Sequence, residues 1–306
     1  MPAHPIMTPP LSCLFAWVLL FGLSAAARAE DLKPGEPERI VFKQTTDAKG
    51  EPVELKLHVF KPEGWKADDQ RPVAVFFFGG GWVSGNPRQF YPHCRDLAAL
   101  GMVAIAAEYR IRNAHGTTPL ACVEDGKSAV RHLRRHARKL GIDPNRIVSA
   151  GGSAGGHVAA CTGIVKGFDS EDEDLEVSSV PNLMILFNPV ISTSRNNGYG
   201  SNRVPGDDPT VISPLHKAHK GQPPCIIFHG DADTVVKIDA VRAFDRRCDE
   251  LGAVCKVIEY EGAGHGFFNH RDFKKPKKDS PDYYTLTMKE AVAFLADHGY
   301  VKADDE

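Results

Sequence analysis

The stretch that decides the fold is Gly151-Gly152-Ser153-Ala154-Gly155, which follows the pattern Gly-x-Ser-x-Gly. The run Arg146–Ala150 before it is typical of a buried strand, and residues 156–161 after it have helical character. A serine on a sharp strand-to-helix turn has a strained backbone, and side chains two residues to either side would clash with that turn. The stretch therefore favours a nucleophilic serine at position 153 over a glycine-rich turn or a phosphate cradle.

Composition describes an ordinary soluble globular protein. The chain has 306 residues, of which 42% are hydrophobic and 25% are charged, and this length suits a single α/β enzyme domain. The net charge of −2 gives no electrostatic reason to expect a nucleic-acid partner. No Cys/His spacing resembles a zinc site, so we expect no metal.

The N-terminus has the pattern of an export signal. Leu11–Leu23 is almost wholly apolar but too short to span a bilayer comfortably, and Ala27-x-Ala29 is a small-residue cleavage site. Residues 1–10 lack the usual Lys or Arg, and an uncleaved membrane anchor is the alternative. We predict a signal peptide over 1–29, a mature domain over 30–306, export to the periplasm or medium, and no stable membrane association after cleavage.

The number of cysteines is consistent with export but does not establish that any disulfide forms. Removing the signal leaves six of the seven cysteines, an even number that permits bridges in an exported protein. Most lie in apolar patterns where a buried free thiol is the default. Cys248 and Cys255 flank a turn between a helix and a strand and are the best candidate pair.

Strand-like and helix-like runs alternate along the mature chain. The predicted strands are 39–44, 54–60, 72–78, 102–107, 146–150, 182–190, 224–229 and 255–260. The predicted helices are 89–100, 121–140, 156–161, 238–251 and 285–298. Because several strands are wholly apolar, we expect a mostly parallel sheet covered by helices on both faces.

Four irregular or charged segments stand apart from this pattern. Residues 192–215 are rich in Asn, Gly, Pro and Ser and predict part of a small cap over the site. The acidic run 169–176 favours a solvated loop over a Ca²⁺ site, because it lacks EF-hand spacing. The Arg/Lys cluster within 131–139 favours a solvated helix face, and the basic patch 274–278 favours a surface loop over a site for an anionic substrate.

A serine nucleophile needs a base and a carboxylate that orients the base, and both follow strands here. Asp231 and Asp233 follow strand 224–229; we favour Asp233 as the acid because it lies deeper in the loop. We expect Asp231 to cap the following turn. His265 lies between glycines just after the last strand, where an imidazole can project over the carboxyl edge of the sheet.

A glycine loop supplies candidate donors for a developing oxyanion. Gly79-Gly80-Gly81 ends the third strand, and three glycines let the main chain approach a substrate closely. The N–H of Ala154, one residue past the serine, should add a donor. No P-loop lysine follows the glycines, and we expect Trp82 to wall the substrate pocket.

These motifs, in this order, resemble the hormone-sensitive-lipase-like α/β-hydrolases and are most similar to secreted bacterial feruloyl/acetyl esterase-like proteins. The resemblance implies a doubly wound eight-stranded sheet and carboxylic-ester hydrolysis without a cofactor. It implies an oxyanion hole formed by Gly80, Gly81 and Ala154. It also supports Asp233 over Asp231 as the acid.

The chain departs from the family pattern at two positions. Phe78 stands where the family loop usually begins with a histidine that braces the loop. Gly152 stands where many relatives carry an aspartate beside the serine. Neither departure removes a backbone donor.

The sequence thus predicts an exported serine esterase acting on a small-molecule or polysaccharide ester, with Ser153, His265 and Asp233 as its triad. A peptidase or amidase with the same triad is one alternative. A non-catalytic binding protein on the same scaffold is another, although none of the three triad positions is altered.

Overall fold

The computed structural model describes Met1, residues 36–275 and residues 279–302. Apart from Met1, the predicted signal peptide 1–29 lies outside the described residues, as do residues 276–278 of the basic patch. No helix within the described ranges is long and apolar enough to cross a membrane.

Eight strands and seven helices alternate along the described chain. The strands are β1 Glu38–Thr46, β2 Pro52–Phe60, β3 Arg71–Phe77, β4 Val103–Ala107, β5 Ile142–Gly152, β6 Leu183–Phe187, β7 Cys225–Gly230 and β8 Cys255–Tyr260. The helices are α1 Tyr91–Ala99, α2 Arg112–His115, α3 Pro119–Arg135, α4 Ala154–Ile164, α5 Pro214–Lys217, α6 Asp239–Leu251 and α7 Tyr283–Asp297.

The strands form one eight-stranded sheet in the order β1-β2-β4-β3-β5-β6-β7-β8. Only β2 runs antiparallel to its neighbours β1 and β4, and all other pairs are parallel. Every residue of β4, β6 and β7 is buried, because both faces of the central sheet are covered. The predicted mostly parallel α/β-hydrolase sheet is therefore confirmed.

The parallel register brings several loops to one edge of the sheet. Phe77 at the end of β3 pairs with Gly151 near the end of β5, and Gly152 pairs with Phe187 at the end of β6. Gly230 at the end of β7 pairs with Tyr260 at the end of β8. The loops after β3, β5, β7 and β8 therefore meet at the carboxyl edge, where open α/β sheets bind ligands.

Of the basic cluster within 131–139, Arg135, Arg138 and Lys139 are exposed as expected, but the expectation of a solvated side chain was wrong for Arg131. Arg131 is only 4% exposed and pairs with Asp169 at 2.6 Å and with Glu173. Lys127, also buried on α3, contacts Asp169 at 3.3 Å. The acidic run is thus partly anchored to α3, because its carboxylates neutralise cations that the fold buries.

The candidate pair Cys248 and Cys255 is not joined by a disulfide. The six cysteines within the described residues are all free thiols. Cys255 pairs with Cys225 across β7 and β8, and its thiol lies within hydrogen-bonding reach of both Cys225 and Cys248. Cys248 also accepts a hydrogen bond from the side chain of Gln222 at 3.3 Å. The default of buried free thiols therefore holds for most of the cysteines, and Cys255 has two thiol neighbours, which spacing along the chain does not reveal.

One buried histidine lies behind the carboxyl edge of the sheet without a hydrogen-bond partner. His93 on α1 is fully buried, and neither ring nitrogen has a partner. Its ring packs against aromatic side chains, namely Phe76, Phe90, Phe187, Phe268 and Tyr284. Burial, with a smaller contribution from nearby His270, lowers the pKa of His93 to about 3.

Replacing His93 by phenylalanine should make the free energy of unfolding depend less on pH below neutrality. Between pH 6.5 and 3 the unfolded chain protonates His93 while the native chain does not, so wild-type stability falls as pH falls, by about 1.4 kcal/mol per pH unit for this group. The advantage of His93→Phe should therefore be about 2 kcal/mol larger at pH 5 than at pH 7. Urea unfolding at both pH values measures it, and an equal difference at the two would contradict it.

Candidate active site

Ser153 lies between β5 and α4 in a conformation that few non-glycine residues adopt. Its φ of 56° and ψ of −120° place it at positive φ, which is a strained position for a side chain. The backbone is held on both sides, because the Ser153 N–H donates to the Phe187 carbonyl at 2.9 Å. The Ser153 carbonyl accepts from the N–H groups of His157 and Val190 at 3.0 and 3.1 Å. The fold therefore imposes the strain and aims the hydroxyl away from the chain.

The two outer glycines of the motif are required by contact with backbone. A Cβ at Gly151 would lie 2.5 Å from the Gly155 carbonyl oxygen and 2.6 Å from that of Phe77. A Cβ at Gly155 would collide with the carbonyl oxygens of Phe77 and Phe78. Since backbone atoms cannot move aside as side chains do, only glycine fits at these two positions.

The middle glycine, Gly152, is required for a different reason, which explains why this chain lacks the aspartate that many relatives carry there. A side chain at Gly152 would run into the ring of Phe268, which is 1% exposed and lies under the elbow. The Phe268 ring also stacks on Phe90 and Phe187 with centroids 5.8 and 4.9 Å away. An aromatic ring therefore fills the space that a side chain at position 152 would need.

Ser153, His265 and Asp233 form one hydrogen-bonded chain across the sheet edge. Nε2 of His265 lies 2.9 Å from Oγ of Ser153, and Nδ1 of His265 lies 2.7 Å from Oδ2 of Asp233. The three residues come from the loops after β5, β7 and β8. The serine and the aspartate are buried and the histidine side chain is 23% exposed, so the base can meet a substrate from outside.

The surroundings of Asp233 keep it ionised. Burial alone would raise its pKa, but the hydrogen bond to His265 and the N–H groups of Val236 and Val235 outweigh burial and hold the pKa below its usual value. The two N–H groups reach Oδ1 at 2.9 Å each. His229, whose pKa burial lowers, lies 3.5 Å from Oδ2. An ionised carboxylate here orients the imidazole and stabilises it when protonated.

The structure assigns Asp231 a different place from the one expected. Its exposed carboxylate accepts a hydrogen bond from the Gly262 N–H at 2.7 Å, on the loop after β8. The turn after β7 is capped by Asp233 instead, through Val235 and Val236. The expectation that Asp231 caps that turn was therefore wrong. The Asp233 carboxylate both caps the turn and binds His265.

The three backbone N–H groups predicted to form the oxyanion hole have no protein acceptor among the described residues. Gly80 and Gly81 have φ values of 132° and 63°, so their loop turns through positive-φ geometry. The start of this loop is close to the nucleophile, since a Cβ at Gly79 would lie 3.4 Å from Cβ of Ser153. Within the described part of the chain, the N–H groups of Gly80, Gly81 and Ala154 donate to no protein acceptor. Such unpaired donors can bind a developing oxyanion.

Two family models match separate parts of the chain. The BD-FAE family matches residues 57–191, and the dienelactone hydrolase family matches residues 199–300. Native esterase 2 of Thermogutta terrifontis superposes with a TM-score of 0.80 and 42% identity, covering 89% of this chain and 96% of that one. The chain belongs to the hormone-sensitive-lipase-like α/β-hydrolase esterases.

Two curated relatives of this esterase family come from distant organisms. Esterase LipC of Mycobacterium tuberculosis is 28% identical over 229 residues, covering 66% of this chain and 56% of its own length. Probable isoprenylcysteine alpha-carbonyl methylesterase ICMEL1 of Arabidopsis thaliana is 28% identical over 238 residues, covering 71% and 49%. The chain thus spans about half the length of these two relatives.

The glycine loop of this esterase-family member is braced without the usual histidine. The Phe78 ring stacks on Tyr109 with centroids 4.2 Å apart, and the Tyr109 hydroxyl donates to the Phe78 carbonyl at 2.6 Å. The next residue, Gly79, donates its N–H to Oε1 of Gln89 at 2.6 Å. Stacking and side-chain hydrogen bonds therefore hold the start of the loop.

The segment predicted as a cap covers the far end of the glycine loop. Nη1 of Arg203 donates to the Gly81 carbonyl at 2.9 Å and to the Tyr199 hydroxyl at 3.2 Å. Trp82 is 1% exposed and packs against His157 and Tyr199, with ring centroids 5.0 and 5.8 Å away. Since Tyr199 and its neighbours cover Trp82, its contact with substrate stays a prediction.

Two site residues escaped the sequence analysis. Asn188 is buried at positive φ, and its Oδ1 accepts a hydrogen bond from the Gly266 N–H at 2.8 Å, next to the histidine. Lys274, in the basic patch, donates from Nζ to the His265 carbonyl at 2.8 Å. The position of Asn188 directly after β6 is a signal that sequence analysis had available. Among the described residues no group of His, Cys, Asp or Glu is arranged to hold a metal ion.

Proposed function

We propose that the protein is a serine carboxylesterase. One observation carries this: a strained Ser153 within 2.9 Å of Nε2 of His265, whose Nδ1 lies 2.7 Å from an ionised Asp233. A hydroxyl in that position can lose its proton as it attacks a carbonyl. Membership of an esterase family supports an ester as the substrate.

The mechanism follows from the geometry. Ser153 Oγ attacks the ester carbonyl carbon while Nε2 of His265 takes the hydroxyl proton. The carbonyl oxygen gains negative charge, and the N–H groups of Gly80, Gly81 and Ala154 bind it. The imidazolium, stabilised by Asp233, gives its proton to the leaving alcohol and an acyl-enzyme remains. Water, deprotonated by His265, then attacks the acyl-enzyme carbonyl. The imidazolium returns its proton to Ser153 Oγ as the carboxylic acid product leaves.

We propose that the substrate is either a short-chain ester or a carbohydrate-linked ester of acetyl or feruloyl type. The match to the BD-FAE family supports this, and Thermogutta terrifontis esterase 2 has been seen with propionate and butyrate bound. A panel of acetyl, butyryl, octanoyl and feruloyl esters, together with acetylated xylan, tests it. The highest kcat/KM on octanoyl esters would contradict a short-acyl preference.

Reaction with an organophosphate separates this function from its alternatives. Paraoxon phosphorylates Thermogutta terrifontis esterase 2. We expect it to add one phosphoryl group to this protein, on Ser153, and to abolish hydrolysis of p-nitrophenyl butyrate in proportion. Peptide mapping by mass spectrometry locates the group. No labelling and no hydrolysis would indicate a binding protein, and faster cleavage of amides than of esters would indicate a peptidase or amidase.

We also propose that the chain is exported, with cleavage before Glu30. The apolar run Leu11–Leu23 and the small residues before Glu30 support this. N-terminal sequencing of the protein produced in its own host tests the proposal, and an intact Met1 would contradict it.

A further inference from the structure

Gln89 lies between two loops of the proposed active site and is bonded to both. It belongs to the short helical turn Pro87–Phe90 before α1 and is only 7% exposed. Its Oε1 accepts the Gly79 N–H at 2.6 Å, on the loop after β3. Its Nε2 donates to Oδ1 of Asn269 at 2.8 Å, on the loop after β8. One buried amide thus spans the two loops.

Asn269 continues the connection to the histidine. Its Nδ2 donates to the Gly266 carbonyl at 2.8 Å, and Gly266 directly follows His265. The Gly266 N–H is in turn fixed by Asn188 at 2.8 Å. Gln89 and Asn269 each use the amide oxygen as an acceptor and the amide nitrogen as a donor, so the orientation of both amides is determined.

In the loop at one end of this connection, the carbonyls of Gly80 and Gly81 are bonded to Ser84 and Arg203, whereas Gly79 is held through its N–H by Gln89. Gly79, Gly80 and Gly81 have no side chains to pack, and glycine loses more conformational freedom on ordering than any other residue. The Gly79 N–H is fixed by Gln89, and the two following N–H groups are the proposed oxyanion donors. An error in the position of Gly79 is therefore passed to both donors.

We propose that Gln89 and Asn269 form an amide bridge that sets the distance between the oxyanion donors and His265. This role rests on the proposed esterase function, and both residues are positioning residues because they act through Gly79 and Gly266. The donors and the base act together only when the tetrahedral intermediate forms. Loss of the bridge should therefore lower kcat while KM changes little.

The test uses side chains that keep the volume but cannot form the bridge. Gln89→Met and Asn269→Leu should each lower kcat for p-nitrophenyl butyrate by about 10- to 100-fold, as expected for a misplaced catalytic group. The double variant should lose no more than the worse single one, because both break the same connection. KM should stay within about threefold of wild type.

A second readout separates positioning from general damage. A trifluoromethyl ketone forms a tetrahedral adduct whose oxygen needs the donors, so its affinity should fall in parallel with kcat, while the affinity for butyrate is unchanged. Asn86→Ala is the matched control, since the exposed Asn86 side chain accepts from the Arg88 N–H in the same turn, whereas Gly79 and Asn269 are bonded to Gln89. It should retain wild-type kcat.

The outcomes are distinct. Unchanged kcat in folded Gln89→Met, or fully additive losses in the double variant, would overturn the bridge. If Gln89→Met does not fold, the partly exposed Asn269→Leu decides in the same way. If wild-type protein hydrolyses no ester, the proposed function fails, whereas an active wild type with insensitive variants overturns the bridge alone.

Discussion

Replacing Ser153 by alanine should lower kcat for p-nitrophenyl butyrate by about a millionfold, to the residual rate that binding and oxyanion donors alone provide. The variant keeps the strand-to-helix turn, because alanine has the same Cβ. It lacks the Oγ that attacks the ester and that lies 2.9 Å from Nε2 of His265 in the wild type. Burst and steady-state kinetics measure the loss, and the burst that reports an acyl-enzyme should vanish.

Loss of the histidine should be nearly as severe and should not add to loss of the serine. His265→Ala removes the base, so kcat should fall by a similar factor, and Ser153→Ala/His265→Ala should match the worse single variant. Ser178→Ala, an exposed serine outside the three site loops, is the control and should behave as wild type. Retention of more than a tenth of wild-type kcat in Ser153→Ala would exclude the proposed mechanism.

The fold and the centre of the site could be predicted because their signals are local. Continuous apolar runs indicate strands buried on both faces, and strands end where polar or glycine residues begin. Ser153, Asp233 and His265 each follow such a run, and parallel strands bring those ends to one edge. The sheet was confirmed, and the structure brings these three side chains into one hydrogen-bonded chain.

The supporting contacts could not be predicted because they join distant parts of the chain. Gln89 and Asn269 are 180 positions apart, and each is an ordinary polar residue in its own segment. Arg131 and Asp169 are 38 positions apart, so the charge pattern of α3 alone indicated a solvated face. In each case the packing of loops determines which side chain becomes the bonding partner, and local sequence periodicity does not predict loop packing.

Gly155→Ala should be strongly destabilising, although it adds only one methyl group. The new Cβ would collide with the carbonyl oxygens of Phe77 and Phe78, which β3 and the Tyr109 contact hold in place. Relief requires α4 to move away from the end of β3, so the free energy of unfolding should fall by about 4 kcal/mol or more. Urea unfolding followed by circular dichroism measures this loss.

Gly264→Ala is the control for Gly155→Ala. It also replaces a glycine by alanine, but at a position where the new Cβ meets no other atom. Gly264 directly precedes His265, its φ is not positive, and a Cβ there would have no neighbour within 4 Å. Its free energy of unfolding should stay within about 1 kcal/mol of wild type, because alanine there changes mainly the unfolded chain. Equal destabilisation by both substitutions would mean that backbone freedom, not the close approach of α4 to β3, requires glycine in the elbow. A loss confined to Gly155→Ala would show that the contact between two elements of the sheet edge fixes the position of Ser153.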